Sequence, residues 1–194
     1  MSIGCVVMAS GDSVRFGRPK LTASFAGKPM LAYLLDALPP TLEMVVVTRS
    51  EAVRSLAEER GYACVLHALP DLSDTIRLGM QRLRHADGCL FCVGDQPLLT
   101  RATIERIVEE FERHPSEIVR AAFGERVGNP VLFPRTLFGE LAALKPGESG
   151  GTVIRRHSAL ARTVRAGIAE ELTDVDTQEV FEALQAFEPN RMGE

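Results

Sequence analysis

The chain has 194 residues, of which 45% are hydrophobic and 25% are charged, and its formal net charge is −4. This length favours one domain with a proper core, and the negative charge argues against general nucleic-acid binding, which requires a basic surface. No apolar stretch approaches the ~20 residues of a membrane span, and the N-terminus lacks the pattern of a signal peptide. We therefore expect a cytoplasmic protein with no nucleic-acid or membrane partner.

Short apolar runs rich in β-branched residues alternate with helical periodicities along nearly the whole chain. The apolar runs predict buried strands at residues 3–8, 43–48, 62–66, 89–93, 118–122, 131–133 and 162–166. Helices are predicted at residues 29–38, 50–60, from Ser73, from a Thr100 cap, around 137–144, at 152–158 and from Thr177.

This alternation predicts an α/β fold, because continuously apolar strands are typical of a sheet that is covered on both faces. We expect one domain over residues 1–188, built as a three-layer, doubly wound and mostly parallel sheet. Residues 189–194 are expected to be a frayed tail.

The cysteine pair Cys89 and Cys92 has the spacing of a redox or zinc motif, but it lies in a predicted buried strand. Side chains three positions apart in a strand point to opposite faces and cannot share a metal. We therefore interpret these thiols, together with Cys5 and Cys64, as reduced core residues.

The first predicted strand ends in the small-residue loop Ala9-Ser10-Gly11, and the cations Arg15 and Lys20 follow it. Consecutive backbone N–H groups in such a loop can bind phosphate, and a guanidinium fork with an ammonium point charge suits a polyphosphate. The alternative is an ordinary turn with solvated basic residues. The loop is not a P-loop, since no Gly-Lys-Ser/Thr follows it, and the chain contains no Gly-x-Gly-x-x-Gly.

Two acidic segments follow further along the chain, Gly94-Asp95-Gln96-Pro97 at a predicted strand tip and Asp174-Val175-Asp176-Thr177 before the last predicted helix. Ligands of open α/β sheets bind beyond the carboxyl ends of the strands. Because Mg²⁺ takes one or two carboxylates together with substrate phosphates, Asp95 and Asp176 around a triphosphate would form a metal site. Taken singly, each segment could instead be a turn or a helix cap.

The opening loop and the Gly-Asp-Gln-Pro segment together carry a family resemblance. The sequence resembles the MobA-like nucleotidyltransferases and is most similar to their molybdenum cofactor cytidylyltransferases. The matching segments, in family order, are Met8-Ala9-Ser10-Gly11, Ser13, Arg15-Phe16-Gly17, Lys20, residues 73–77, residues 94–97, residues 128–133, residues 147–151 and residues 174–177.

The resemblance implies a Rossmann-like nucleotidyltransferase fold and assigns a role to each motif. Arg15, Lys20 and Asp95 would be catalytic, and Asp95 would hold Mg²⁺. The carboxylate of Asp176 is the second metal ligand that we expect from the chemistry of the two acidic segments. Asn129 belongs to a later segment that would meet the acceptor. Arg155 and Arg156 could bind an acceptor phosphate through charge-assisted hydrogen bonds, and the alternative for these two arginines is a solvated helix end. The nucleotide would contact Met8, Ala9, Ser10, Gly11, Asp12, Ser13, Arg15, Lys20, Ser73 and Asp95.

The expected activity is transfer of CMP from CTP to molybdopterin, with release of pyrophosphate. The acceptor phosphate is already ionised near neutral pH, its second pKa being ~6, so no protein base is required. Ser10 replaces the Ala of cytidylyltransferases and the Gly of guanylyltransferases, and Asn129 replaces a frequent His. The alternatives are an acceptor that is a sugar phosphate or another small phosphate, and a non-catalytic accessory protein that delivers the molybdenum cofactor to a molybdenum hydroxylase.

Overall fold

The computed structural model describes residues 1–191, with side chains through residue 187. The strands are β1 (Ile3–Ala9), β2 (Ser24–Phe25), β3 (Lys28–Pro29), β4 (Glu43–Thr48), β5 (Ala63–Leu66), β6 (Gly88–Val93), β7 (Ile118–Phe123), β8 (Arg126–Pro134) and β9 (Ala161–Arg165). The helices are α1 (Met30–Ala37), α2 (Glu51–Glu58), α3 (Leu72–Leu83), α4 (Arg101–Arg113), α5 (Phe138–Ala142), α6 (Gly150–Arg156) and α7 (Gln178–Arg191).

Seven strands form the central sheet in the order β5-β4-β1-β6-β8-β7-β9, and β2 and β3 form a small separate hairpin. All pairings in the central sheet are parallel except those of β8, which is antiparallel to both β6 and β7. The chain leaves β1 towards β4 on one side, whereas β6 flanks β1 on the other. The carboxyl ends of β1 and β6 are therefore a topological switch point, where ligands of open α/β sheets bind.

Helices cover both faces of this sheet, which confirms the predicted three-layer α/β architecture. One core contains side chains of α1, α2, α4 and α7, and the other contains side chains of α3, α5 and α6. Cys92 belongs to the first core and Cys89 to the second, as the two-residue period of a strand predicts. Within residues 1–191, no helix is both long and apolar enough to cross a membrane.

The predicted strands and helices are present, with differences at their ends. The helix expected to open at Ser73 begins at Leu72, because Asp71 and Asp74 form a reciprocal capping box at that point. Ser50 and Thr100 cap α2 and α4 as predicted, accepting hydrogen bonds from Val53 N–H and Thr103 N–H.

The largest difference from the predicted elements concerns β8. It begins at Arg126, so the polar stretch Gly128-Asn129-Pro130 lies within a strand and not in a loop. A tight turn at Gly124, whose φ is 59°, joins it to β7. Hydrogen bonding to β7 holds this polar stretch in the sheet. A strand prediction that depends on runs of apolar residues cannot detect such pairing.

The last helix, α7, extends through Arg191, beyond the predicted domain boundary at residue 188. Residues 192–194 of the predicted frayed tail lie outside the described residues. The fraying of residues 189–194 stays a prediction.

Candidate active site

Three segments meet at the carboxyl ends of β1 and β6: the loop of residues 10–20, the strand tip 94–97 and the segment 174–177. Gly94 N–H donates to the carbonyl of Met8 at 2.9 Å, which ties the two strand ends together. A Cβ at Gly94 would lie 3.3 Å from that same oxygen, so glycine permits the close approach. Val175 N–H donates to the carbonyl of Asp95 at 2.9 Å and fixes the third segment beside the second.

Lys20 is the centre of this meeting point. Its Nζ lies 2.5 Å from Asp95 Oδ2 and 3.2 Å from Asp176 Oδ1, and it donates to the carbonyl of Val175 at 2.8 Å. Arg15 Nη2 lies 2.8 Å from the second oxygen of Asp176. Lys20 is only 7% exposed, whereas the Arg15 side chain is 71% exposed. The cluster therefore combines a buried cation between two carboxylates with a second cation at the rim.

The loop is folded so that it delivers Lys20 to this position. Ser13 has a left-handed φ of 54°, and its Oγ accepts a hydrogen bond from Lys20 N–H at 3.3 Å. Phe16 is buried and packs edge-on against Phe181 of α7, with ring centroids 5.3 Å apart. These contacts anchor the middle of the loop on α7 and turn its two ends towards the sheet edge.

A third carboxylate, Asp174, lies beside the pair and accepts a hydrogen bond from Gln96 Nε2 at 2.9 Å. Desolvation raises the pKa of Asp174, and the negative charges of Asp95 and Asp176 raise it further. The site therefore concentrates negative charge that Lys20 and Arg15 only partly balance.

Two connected cavities open beside the cluster. The loop cavity, of about 440 Å³, is lined by residues 9–14 and 17–22 together with Arg49, Ser50 and Val53. The central cavity, of about 300 Å³, shares residues 9–12, Lys20 and Arg49 with it and reaches Asp95. Together they are large enough and polar enough for a phosphate-bearing ligand.

One wall of these cavities is held by Arg49, which follows β4. Its Nε and Nη2 donate to the carbonyl of Ser10 at 2.8 and 2.6 Å, and Nη2 lies 2.5 Å from Asp12 Oδ1. This fork fixes the backbone of the opening loop. Arg49 could have been found from the sequence, because it lies at the carboxyl end of the strand next to β1.

The Ser10 side chain is fixed from the other side. Its hydroxyl donates to the carbonyl of Val47 at 3.1 Å, and its Oγ lies 2.9 Å from His67 Nε2. His67 Nδ1 accepts a hydrogen bond from Leu69 N–H at 3.2 Å, so the neutral ring carries its proton on Nε2 and donates it to Ser10. Desolvation by burial, followed by the positive charge of Arg49, lowers the pKa of His67.

The structure brings most of the predicted nucleotide-binding residues to the two cavities. Ser73 is buried and is not among the lining residues of either cavity within the described part of the chain, so its role stays a prediction. Thr75, two residues further along α3, lines the central cavity and has a buried hydroxyl without a hydrogen-bond partner among the described residues. Sequence reasoning missed Thr75, because it reads as an ordinary helix residue. The predicted residues that line a cavity are Met8, Ala9, Ser10, Gly11, Asp12, Ser13, Lys20 and Asp95.

A further cavity of about 250 Å³, which we name the distal cavity, lies on the sheet face covered by α3, α5 and α6. Asn129 lines it, and the acceptor role of this residue stays a prediction. Arg155 donates to Thr152 at 3.2 Å, and Arg156 is paired with Glu148 at 2.9 Å. Among the residues that the structure describes, neither arginine lines the distal cavity. Their acceptor role stays a prediction, and their local pairing favours the solvated alternative.

The donor set also bears on the predicted Mg²⁺ site. Asp95 and Asp176 converge on one cation, the ammonium of Lys20, so the same two carboxylates fit a hard divalent ion. Among the described residues, no group of three or more His, Cys, Asp and Glu side chains forms a metal cluster. A divalent ion would therefore depend on substrate oxygens and water for its remaining ligands, and Lys20 would have to move aside.

The sequence profile of the MobA-like NTP transferase domain matches residues 5–163. Among curated proteins, the 8-amino-3,8-dideoxy-manno-octulosonate cytidylyltransferase of Shewanella amazonensis is 33% identical over 137 residues. That match covers 66% of this chain and 55% of the relative, so the chain spans about half the length of the curated relatives it matches.

Solved structures share the fold over nearly the full chain. Rv0371c from Mycobacterium tuberculosis H37Rv is 26% identical with a TM-score of 0.82, covering 96% of this chain and 98% of that one. A complex of the same protein with manganese has a TM-score of 0.75 at 26% identity, with coverage of 96% and 99%. A CMP:2-keto-3-deoxy-manno-octonic acid synthetase complexed with CTP is 15% identical with a TM-score of 0.79, covering 98% and 100%.

Proposed function

The chain belongs to the MobA-like NTP transferase domain family, and on this basis we propose that it transfers CMP from CTP to a sugar-type acceptor. The observation that carries the proposal is the convergence of Lys20, Arg15, Asp95 and Asp176 beside the loop and central cavities. Two cations and two carboxylates at one strand edge suit a triphosphate and a divalent ion better than they suit a neutral ligand.

In the proposed reaction, an acceptor oxygen bonds to the α-phosphorus of CTP while the bond to the bridging oxygen of the β-phosphate breaks. Pyrophosphate leaves, and an acceptor that reacts through a hydroxyl releases its proton to water. Lys20 and Arg15 bind the phosphates and balance the charge that develops on the leaving group, which is electrostatic catalysis by preorganised cations.

Asp95 and Asp176 would hold Mg²⁺ in this proposal. The bound ion would supply Lewis-acid polarisation of the phosphate oxygens and neutralise part of their charge. A similar structure solved with manganese supports a divalent ion in this fold. As the ion binds, Lys20 would exchange its two carboxylate partners for the triphosphate. The same ammonium would therefore pair with Asp95 and Asp176 before the nucleotide binds and with the phosphates afterwards.

The choice of CTP rests on the curated cytidylyltransferase relatives and on Ser10. Its side chain is held against Val47 and His67 at the edge of the central cavity, where it reduces the room for a base. A purine needs more room than a pyrimidine. The side chain therefore favours cytosine on steric grounds.

The acceptor proposal differs from the expectation of molybdopterin. The cytidylyltransferases among the curated relatives act on 8-amino-3,8-dideoxy-manno-octulosonate, a sugar acid, and they give no support to molybdopterin or to a molybdenum hydroxylase partner. They support the sugar-type alternative in its place. The non-catalytic carrier is disfavoured because a carrier has no need of the triphosphate and metal groups at residues 15, 20, 95 and 176.

The proposal is tested by measuring pyrophosphate release with CTP, GTP, ATP and UTP, each with Mg²⁺. The acceptors would be 8-amino-3,8-dideoxy-manno-octulosonate, glucose 1-phosphate and molybdenum-loaded molybdopterin. We expect release above background with CTP and a sugar-type acceptor. Release with molybdopterin alone would replace the proposed acceptor, and no acceptor-dependent release with any nucleotide would contradict the proposed function.

A further inference from the structure

Arg120, on β7, lines the distal cavity, and none of the described side chains pairs with its charge. Its Nε is buried and makes no hydrogen bond, and within residues 1–187 no ion pair involves its guanidinium. Among the side chains described as lining this cavity there is no Asp or Glu. A partly buried cation without a counter-charge is costly, and an anionic ligand would offset that cost.

The rest of the lining is that of a ligand site. Phe91, Phe133 and Leu141 supply apolar walls, and Asn129 and Ser149 add a few polar groups. Small-molecule cavities have this composition, in which a small number of polar groups orient the ligand. The strand register explains why Arg120 faces this side, since Ile118, two positions earlier, belongs to the same core as Phe91 and Phe133.

The distal cavity also adjoins the central cavity. Met8, Leu72 and Val93 line both, so the two cavities meet at the carboxyl ends of β1 and β6. A ligand in the distal cavity would therefore extend towards the phosphates of a nucleotide in the central cavity. This is the placement that an acceptor requires.

We propose that Arg120 binds a carboxylate of the acceptor, and that the acceptor is therefore a carboxylic acid and not a phosphate ester. This inference rests on the proposed nucleotidyl transfer and specifies its substrate class. A guanidinium pairs with a carboxylate through two parallel hydrogen bonds and balances its single charge. A phosphate monoester carries a charge of about −1.5 to −2, and Arg120 is the one cation among the described lining residues.

The binding test uses calorimetry with two sugar acids, 8-amino-3,8-dideoxy-manno-octulosonate and glucuronate, with their carboxamides, and with glucose 1-phosphate. We expect at least one acid to bind, and to bind about tenfold or more tightly than its own amide. This comparison uses the wild-type protein and does not depend on the folding of a variant. Failure of both acids to bind, or equal affinity of acid and amide, would overturn the inference.

Variants then assign the effect to Arg120. Arg120→Met should weaken binding of the acid about tenfold or more, and Arg120→Lys should restore it in part, while CTP affinity stays unchanged. Arg165→Met is the matched control, because Arg165 lies on the neighbouring strand β9 and contacts Phe123. An unchanged affinity for the acid in Arg120→Met would overturn the inference.

The same variants separate this inference from the proposed function. If the enzyme releases pyrophosphate with glucose 1-phosphate and Arg120→Met does not change that rate, the acceptor is not required to be a carboxylic acid. This result would refute the inference about Arg120 and would leave the proposed nucleotidyl transfer intact. Arg120-dependent binding of a sugar acid, without pyrophosphate release for any nucleotide, would refute the transfer and retain the binding site.

Discussion

The Nζ of Lys20 lies 2.5 Å from a carboxylate oxygen of Asp95, and the same ammonium also reaches Asp176 at 3.2 Å. The cation from the opening loop thus occupies the position between two acids where a divalent ion would bind. It follows that, without nucleotide, Lys20 and a divalent ion would compete for the same two carboxylates. Such competition would make the pairing of Lys20 with Asp95 and Asp176 measurable as a change in metal affinity.

Lys20→Met should bind Mn²⁺ more tightly than the wild type when no nucleotide is present. Two unit charges ~4 Å apart interact by ~4 kcal/mol near a protein surface, so removing the ammonium should raise the metal affinity at least about tenfold. Electron paramagnetic resonance of free Mn²⁺ measures this affinity directly. Lys28→Met is the control, since Lys28 pairs with Asp36 away from the site. Equal Mn²⁺ affinity in Lys20→Met and the wild type would show that Lys20 does not compete with the metal.

Arg15→Ala should weaken CTP binding with little loss of fold stability. The ion pair of Arg15 with Asp176 is exposed and stabilises the fold by at most about 1 kcal/mol, whereas a charge-assisted contact to phosphate contributes about 1.5–3 kcal/mol. We expect a Kd for CTP about 10 to 150 times higher, and Arg15→Lys should recover only part of the loss. Titration calorimetry checks the affinity, with Arg113→Ala as the surface control. Unchanged CTP affinity in Arg15→Ala would move the triphosphate away from this residue.

Ser10 tests the choice of base. CTP with Mg²⁺ should protect the wild type against thermal unfolding better than GTP at equal concentration. A nucleotide present at ~100 times its Kd stabilises the folded protein by ~2.7 kcal/mol, which a melting experiment detects. Ser10→Gly should reduce the difference in thermal protection between CTP and GTP. Ser10→Ala retains a side chain at this position and should preserve that difference. Stronger protection by GTP than by CTP in the wild type would refute the cytidine assignment. A difference in protection that is the same in Ser10→Gly and in the wild type would also refute it.

His67 makes the same wall sensitive to pH. Because burial lowers the pKa of His67 in the folded protein, the unfolded chain binds more protons between that lowered pKa and the ordinary value of about 6.5. The contribution of His67 to the free energy of unfolding is therefore present above about pH 6.5 and is lost as the pH falls through this window.

The check is urea denaturation of the wild type and of His67→Gln between about pH 7.5 and about pH 5. His67→Gln should lose less of its free energy of unfolding than the wild type across this range, because Gln cannot take up the proton. If His67→Gln and the wild type lost the same amount of free energy of unfolding, the lowered pKa of His67 would not contribute to the pH dependence of stability.

Much of this fold could be predicted from the sequence because its parallel strands are short apolar runs with clear turns between them. The loop after β1, the tip of β6 and the segment before α7 were likewise predicted to meet, since parallel strands place their carboxyl ends at one edge. The pairing of Lys20 with Asp95 and Asp176 was not predicted. Which acid a lysine pairs with depends on side-chain packing that a motif does not encode.

The residues that sequence reasoning missed are those without a local pattern. Arg120 lies in a strand where a charged residue reads as an exposed edge position, and only the packing of α3, α5 and α6 around it creates a cavity. Thr75 is similar, because its helix position gives no sign that it lines the central cavity. Tertiary packing brings such groups together from distant segments, so their placement requires the structure.

The most direct test of the account is transfer of label from [α-³²P]CTP to an acid acceptor by the wild type and by Asp95→Asn. The substitution keeps the shape of the side chain but removes the charge that would hold Mg²⁺ beside the α-phosphate, which contributes several kcal/mol to catalysis. We predict a fall in the transfer rate of about 100-fold or more, measured at a temperature where circular dichroism shows the variant to be folded, because loss of the buried partner of Lys20 should also lower the melting temperature. Label transfer by Asp95→Asn at the wild-type rate would contradict the assignment of this cluster as the catalytic centre.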